Sequence, residues 1–125
     1  INKMKTVEYE GVSYKIGKNS AENWELLSED QNYIWFHLAS YPSCYVICCE
    51  EDPSNEIITY GAQLCKENTK YRNLKNLRVN YTKLSNLKKA ETVGSVYIKS
   101  NRKVKNIDKT TETLSDDDWE ELDSQ

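Results

Sequence analysis

The segment IWFHLASYPSCYVICC, residues 34–49, constrains the fold of this chain more than any other. Apolar residues alternate on both sides of a Tyr-Pro-Ser turn, which is the pattern of two strands joined as a β-hairpin. Because successive side chains of a strand point to opposite faces, Ile34 and Phe36 share one face, and Trp35 and His37 share the other. The segment therefore predicts a hairpin with aromatic side chains on both faces.

Alternation and capping signals predict the other elements. The first are two strands within residues 7–16 and a helix capped by Asn19 or Ser20. After the hairpin come a helix from Asp52-Pro53 to about residue 69, a strand at 77–82 and a tight turn at Ser85-Asn86-Leu87. The last are two strands, 95–99 and 103–107, paired around Asn101-Arg102. Gly61 and Ala62 would let the second helix lie close to a sheet. This order predicts an α+β fold, a mostly antiparallel β-sheet covered by two helices.

Charge divides the chain into segments of opposite sign. Residues 66–109 carry 13 basic and 3 acidic side chains, although the whole chain has a net charge of -3. Residues 110–125 carry 7 acidic and no basic side chains, and too few apolar ones to order independently. We therefore predict one domain, 1–109, followed by an acidic disordered tail, 110–125. The basic segment indicates nucleic-acid binding, or else the solvated face of a sheet.

The four cysteines and the single histidine do not form a recognisable metal or catalytic motif. Cys48 and Cys49 point to opposite sides of a strand, so they cannot both bind one ion. Phosphate-binding glycine loops and Ser/His/Asp patterns are absent from the sequence. We therefore expect no metal, no cofactor and no enzymatic activity, with the cysteines acting as small buried hydrophobes.

Membrane and secretion signals are also missing. No apolar run approaches the roughly 18 residues of a membrane span, and the cysteine spacing is not that of a secreted disulfide framework. These features predict no membrane partner and a cytoplasmic location, with the nucleus as the alternative.

The sequence contains six short motifs, and their order along the chain identifies a family more specifically than any one motif does. They are Gly17-Lys18-Asn19, Asn23 in the next helix, Trp35-Phe36-His37, Gly61-Ala62-x-Leu64, Val79-Asn80-Tyr81-Thr82 through Ser85-Asn86-Leu87-Lys88-Lys89, and Val93-Gly94-Ser95-Val96. With them, residues 7–108 resemble the NFACT-R domain, the RNA-binding module that ends the NEMF and RqcH ribosome quality-control factors, and its short standalone relatives.

Two positions depart from the family pattern. Ile34 replaces the acidic residue that usually precedes the Trp, and Ser43-Cys44-Tyr45 replaces a Gly-Ser-His segment. Tyr45 offers a ring and a hydroxyl but cannot carry positive charge, so a function that needs a histidine pair is not expected here.

The resemblance implies a non-catalytic module that binds structured RNA, tRNA or rRNA, in translation or ribosome quality control. The large ribosomal subunit is a further candidate partner, and DNA an alternative ligand. The candidate binding residues are Lys18, Asn19, Asn23, Trp35, His37, Tyr45, Lys75, Arg78, Lys83, Lys88, Lys89, Arg102 and Lys103. Basic residues would neutralise phosphates, Trp35, His37 and Tyr45 would stack on or hydrogen-bond an unpaired base, and Lys18-Asn19 would hold a phosphate at a helix start. The competing interpretations are core packing for Trp35, a structural histidine at position 37, and a simple cap at Lys18-Asn19.

The acidic tail supports a regulatory hypothesis. Its carboxylates would compete with phosphate for the basic surface, and phosphorylation at Ser115 within Ser115-Asp116-Asp117-Asp118 would strengthen the competition. In the alternatives, the tail serves only solubility, or Trp119 and Leu122 dock a protein partner. That last alternative makes the chain a protein-interaction adaptor that uses the acidic tail and a degenerate family surface.

Overall fold

The computed structural model describes residues 4–99 and 102–107. Within these residues, six strands form one antiparallel sheet in the order β1-β2-β4-β3-β5-β8, and β6 and β7 form a separate antiparallel ribbon. The elements are β1 (Lys5–Tyr9), β2 (Val12–Ile16), α1 (Ser20–Leu26), β3 (Ile34–Leu38), β4 (Val46–Cys48), α2 (Asn55–Glu67), β5 (Leu77–Lys83), a 3₁₀ turn (Leu84–Asn86), β6 (Leu87–Lys89), β7 (Val96–Ile98) and β8 (Lys103–Ile107). The predicted α+β fold and the β3–β4 hairpin are confirmed.

Helix α2 covers one face of the sheet, which we call the α2 face. Phe36 and Tyr14 project from this face into the main core and are fully buried. A Cβ atom built on Gly61 would lie 2.5 Å from Cζ of Phe36, so the helix approaches the ring more closely than any side chain would allow. The Tyr14 hydroxyl donates to the backbone oxygen of Ile57 at 2.7 Å and fixes the start of the helix. The close approach predicted at Gly61 is therefore confirmed.

The opposite face of the sheet is covered by α1 and the β6–β7 ribbon. Trp35 and Ile47 pack there against Leu26 and Leu84 in a second, smaller core. Two contacts with backbone oxygens tie the cover together: Trp24 Nε1 donates to Ser95 O at 3.0 Å, and the Tyr45 hydroxyl donates to Gly94 O. Gly94 has a φ of 91°, in the left-handed region that favours glycine.

Two local predictions were wrong. Strands β7 and β8 do not pair with each other: β7 pairs with β6, and β8 pairs with β5 at the edge of the main sheet. These partners bury Ile98 against the second core and Ile107 against the main core, which a tight hairpin between β7 and β8 would not achieve. The second helix begins after Ser54 rather than at Asp52-Pro53, since the Ser54 hydroxyl accepts from the backbone N–H of Ile57.

Candidate nucleic-acid interface

A groove of about 600 Å³ lies on the face of the sheet opposite α2. We call this the groove face. The floor of the groove includes Trp35, His37 and Asn80; residues 38–42 form one wall, and residues 92–96 with Ile98 form the other. The first wall is the end of β3 and the turn that follows it, and the second is β7 with the loop that leads into it. The groove therefore lies between the main sheet and the ribbon.

Three aromatic side chains form a packed cluster under this groove. The rings of Trp35 and His37 stack in parallel with centroids 5.6 Å apart, and Tyr45 meets both edge-on. Trp35 and Tyr45 are each only 2% exposed, so neither offers an open ring face to a base. Base stacking on these two residues is therefore not available in this structure, and their packing supports His37 from below.

His37 supplies a hydrogen-bond acceptor to the floor. Its Nδ1 lies 2.6 Å from the backbone oxygen of Leu38, and because a carbonyl only accepts, Nδ1 carries the proton. Burial lowers the pKa of His37, so the ring is neutral near pH 7. Nε2 then keeps a free lone pair, and it has no hydrogen-bond partner within residues 4–99 and 102–107.

Asn80 supplies a hydrogen-bond donor beside His37. His37 and Asn80 are direct partners across β3 and β5, so their side chains are neighbours on the same face. Arg102 Nε donates to Asn80 Oδ1 at 3.0 Å, which orients the amide so that its nitrogen is left to donate elsewhere. Asn80 was not predicted as a binding residue, since its place beside His37 depends on the register between β3 and β5.

A smaller pocket of about 280 Å³ adjoins the groove and carries positive charge. Lys75 and Arg78 line it, and it shares Ser40 and Tyr41 with the groove. Tyr41 is 37% exposed and stacks on Tyr71 with centroids 4.4 Å apart. Tyr41 was also missed in the sequence, where an aromatic residue beside proline in a hairpin turn was its only signal.

The predicted basic residues do not share one surface. Arg78 and Arg102 lie on the groove face, because Arg78 alternates with the buried Leu77 and Val79, and Arg102 bonds Asn80. Lys83 and Lys103 fall on the α2 face instead, opposite Ile34 and Tyr81 respectively. Alternation within β5 separates Arg78 from Lys83, and the register of β8 on β5 places Lys103 beside Tyr81.

Lys88 and Lys89 lie on the ribbon. Lys89 Nζ sits 4.8 Å from the centroid of the Trp24 ring, a cation–π contact with α1. Lys88 pairs with Tyr97 on the other side of the ribbon. Both lysines are exposed and extend the positive charge beyond the second wall of the groove.

The start of α1 is a capping site rather than a phosphate site. Asn19 Oδ1 accepts from the backbone N–H of Glu22 at 2.9 Å, and the Glu22 carboxylate accepts from the N–H of Lys18 at 2.8 Å. These N–H groups are thus occupied, and a carboxylate already stands where a phosphate would bind. Asn23 is buried, and its Oδ1 accepts from the N–H of Tyr45 at 3.2 Å, a structural contact between α1 and the residue that precedes β4.

The remaining predicted residues, Ser115, Asp116, Asp117, Asp118 and Trp119, lie outside the described residues. Within the described part, no three His, Cys, Asp or Glu side chains converge as metal ligands. No described helix has the length and apolar character needed to cross a bilayer.

Comparison with known proteins shows the fold but not a family. No protein-family model matches the chain, and no curated protein matches it. Among solved structures, it is similar to the C-terminal part of the fibronectin/fibrinogen-binding protein from Streptococcus suis, with a TM-score of 0.77 and 24% sequence identity. The match covers 86% of this chain and 45% of that one, so this chain spans less than half of the matched structure.

Proposed function

We propose that this chain is a non-catalytic module that binds structured RNA, tRNA or rRNA, in translation or ribosome quality control. The biological setting rests on the resemblance to the NFACT-R domain. The observation that carries the proposal is the groove, whose floor pairs the free acceptor of His37 with the free donor of Asn80 beside a cationic pocket.

An unpaired nucleotide fits this arrangement. Sequence-specific RNA binding commonly uses bases that are splayed out of a loop, stacked on aromatic rings and hydrogen-bonded at their edges. His37 Nε2 and the Asn80 amide nitrogen would meet one donor and one acceptor on such an edge. Tyr41, the exposed ring at the mouth, would stack on the base or its neighbour.

The phosphate backbone would follow the positive charge. Lys75 and Arg78 in the adjoining pocket lie on the groove side of the sheet, and Lys88 and Lys89 lie beyond the other wall. A strand running across the groove would thus meet cations at both ends. Neutralised phosphates release counterions, so affinity would fall as salt rises.

A protein-interaction adaptor is the alternative. Val93, Tyr97 and Val104 are 50%, 49% and 40% exposed, and exposed apolar residues of this size also suit a protein partner. The name of the similar Streptococcus suis protein refers to protein ligands, fibronectin and fibrinogen. If the chain is an adaptor, no salt-dependent affinity for RNA is expected.

Fluorescence anisotropy with a labelled tRNA tests the proposal. The full chain should bind with an affinity that falls steeply between about 50 and 200 mM salt. Tyr41→Ala should weaken binding by about tenfold, since stacking contributes roughly 1–3 kcal/mol per base. Tyr97→Ala is the matched control, because Tyr97 is also an exposed aromatic residue but does not line the groove.

An equal loss of tRNA affinity in Tyr41→Ala and Tyr97→Ala would show that the groove is not the binding site. Absence of RNA binding at low salt by the unmodified chain would contradict it altogether and favour the adaptor.

A further inference from the structure

Cys44 and Cys65 lie against each other where the turn before β4 meets α2. Cys44 Sγ donates to the backbone oxygen of Cys65 at 3.9 Å, and Cys65 Sγ donates to the backbone oxygen of Cys44 at 3.8 Å. Each thiol therefore lies against the backbone of the other cysteine. None of the four cysteines forms a disulfide in the structure, and nothing in the RNA-binding proposal uses Cys44 or Cys65.

The two thiols differ in access and acidity. Cys44 is partly exposed, whereas Cys65 is completely buried. The neighbouring Cys65 side chain lowers the pKa of Cys44, with help from a backbone hydrogen bond and the Lys5 ammonium group. The neighbouring Cys44 side chain and burial raise the pKa of Cys65 well above its ordinary value. A solvent-reachable thiol of lowered pKa beside a buried, protonated partner is the arrangement of an attacking and a resolving cysteine.

We propose that Cys44 and Cys65 are a peroxide-sensitive pair that closes into an intramolecular disulfide. The Cys44 thiolate attacks one oxygen of hydrogen peroxide, the O–O bond breaks, and hydroxide leaves and takes a proton to become water. Cys44 is now a sulfenic acid. The Cys65 sulfur attacks Cys44 Sγ, the S–O bond breaks, and the departing hydroxide takes the Cys65 proton as a second water. Two thiols are oxidised and one peroxide is reduced.

The disulfide would act on the groove through its first wall. Residues 38–42 form that wall, and Ser43 connects it to Cys44: its hydroxyl accepts from the N–H of Leu38 at 3.0 Å and donates to Cys44 O at 2.9 Å. A covalent bond from Cys44 to Cys65 ties this segment to α2 on the other side of the sheet. The cysteine chemistry itself does not depend on what the groove binds.

Peptide mapping of the full chain tests the pair. The chain is treated with hydrogen peroxide, free thiols are alkylated, and the unreduced protein is digested with a glutamate-specific protease and chymotrypsin. Trypsin is unsuitable, because residues 19–66 contain no Lys or Arg before Lys66 and hold all four cysteines. Cleavage after Tyr45 and Glu50 separates Cys44 from Cys48 and Cys49, and cleavage after Glu56 isolates Cys65. We expect a loss of about 2 Da in the intact mass and a Cys44–Cys65 cross-linked peptide.

Single substitutions separate the attacking role of Cys44 from the resolving role of Cys65. Cys49→Ser is the matched control and should still form the bond, whereas Cys44→Ser should not. Cys65→Ser should accumulate the Cys44 sulfenic acid, which dimedone captures. Peptide mapping of the unmodified chain shows whether the Cys44–Cys65 disulfide forms, even if Cys65→Ser fails to fold. A bond from Cys44 to Cys48 or Cys49, a disulfide-linked dimer, or no disulfide after peroxide treatment would overturn the proposal.

Discussion

Replacing Gly61 by alanine tests how α2 is held against the sheet that carries the groove on its other face. The added methyl group would lie 2.5 and 2.6 Å from two ring carbons of Phe36, where carbon atoms normally stay about 3.5–4.0 Å apart. Phe36 cannot turn aside easily, because it is fully buried and stacks on Tyr81 with centroids 5.9 Å apart. Either the ring or the helix must move.

Two opposing effects set the change in the free energy of unfolding that Gly61→Ala causes. Overpacking a core costs about 1–3 kcal/mol, while alanine is more favourable than glycine within a helix by roughly 1 kcal/mol. Because the clash is with a rigid ring, we expect overpacking to win, with a net loss of about 1–2 kcal/mol in the free energy of unfolding. For a domain of this size, the melting temperature should fall by roughly 5–10 °C.

Urea denaturation of a double-mutant cycle isolates the contact. Phe36→Leu removes the ring carbons that the methyl group would meet, so Gly61→Ala should cost much less in that background. The coupling energy should be about 1 kcal/mol or more. If Gly61→Ala leaves the stability unchanged or raises it in the unmodified chain, α2 does not lie this close to β3.

Three further predictions concern the site. Asn23→Ala removes the buried acceptor for the Tyr45 N–H and should lower the free energy of unfolding by about 1–3 kcal/mol in urea denaturation; an unchanged value would contradict this role. Burial lowers the pKa of His37 in the folded chain, so its neutral ring contributes fully to stability above the unfolded pKa of about 6.5 and contributes less as the pH falls below that value. In urea denaturation, the difference in stability between the unmodified chain and His37→Gln should therefore shrink from about pH 7.5 to 5. A constant difference would contradict the burial effect. Removing residues 110–125 should tighten tRNA binding at low salt if the acidic tail competes with phosphate, and unchanged affinity would show that it does not.

Local patterns in the sequence predicted the fold class well. The alternation around Trp35 and Phe36 defined the β3–β4 hairpin, and the small residues at Gly61 marked where α2 approaches the sheet. The pairing of β8 with β5 could not be predicted in this way, because it depends on burying Ile107 beside residues far away in sequence.

The site was only partly predictable. His37 was identified, and strand alternation places it opposite Phe36, but the burial of Trp35 depends on the cover formed by α1 and the ribbon. Alternation could have separated Arg78 from Lys83, since an odd spacing puts them on opposite faces of β5. Asn80 needed the register between β3 and β5, which no local pattern specifies.

Two double variants test most directly whether RNA binds on the groove face. Lys75→Ala/Arg78→Ala removes two cations from the pocket beside the groove, and Lys83→Ala/Lys103→Ala removes two from the α2 face, so both lower the net charge equally. In tRNA titrations across the same salt range, the first variant should weaken binding and reduce the salt dependence by about two phosphate contacts, while the second should bind like the unmodified chain. Equal losses from both variants, or a larger loss from the second, would contradict the account.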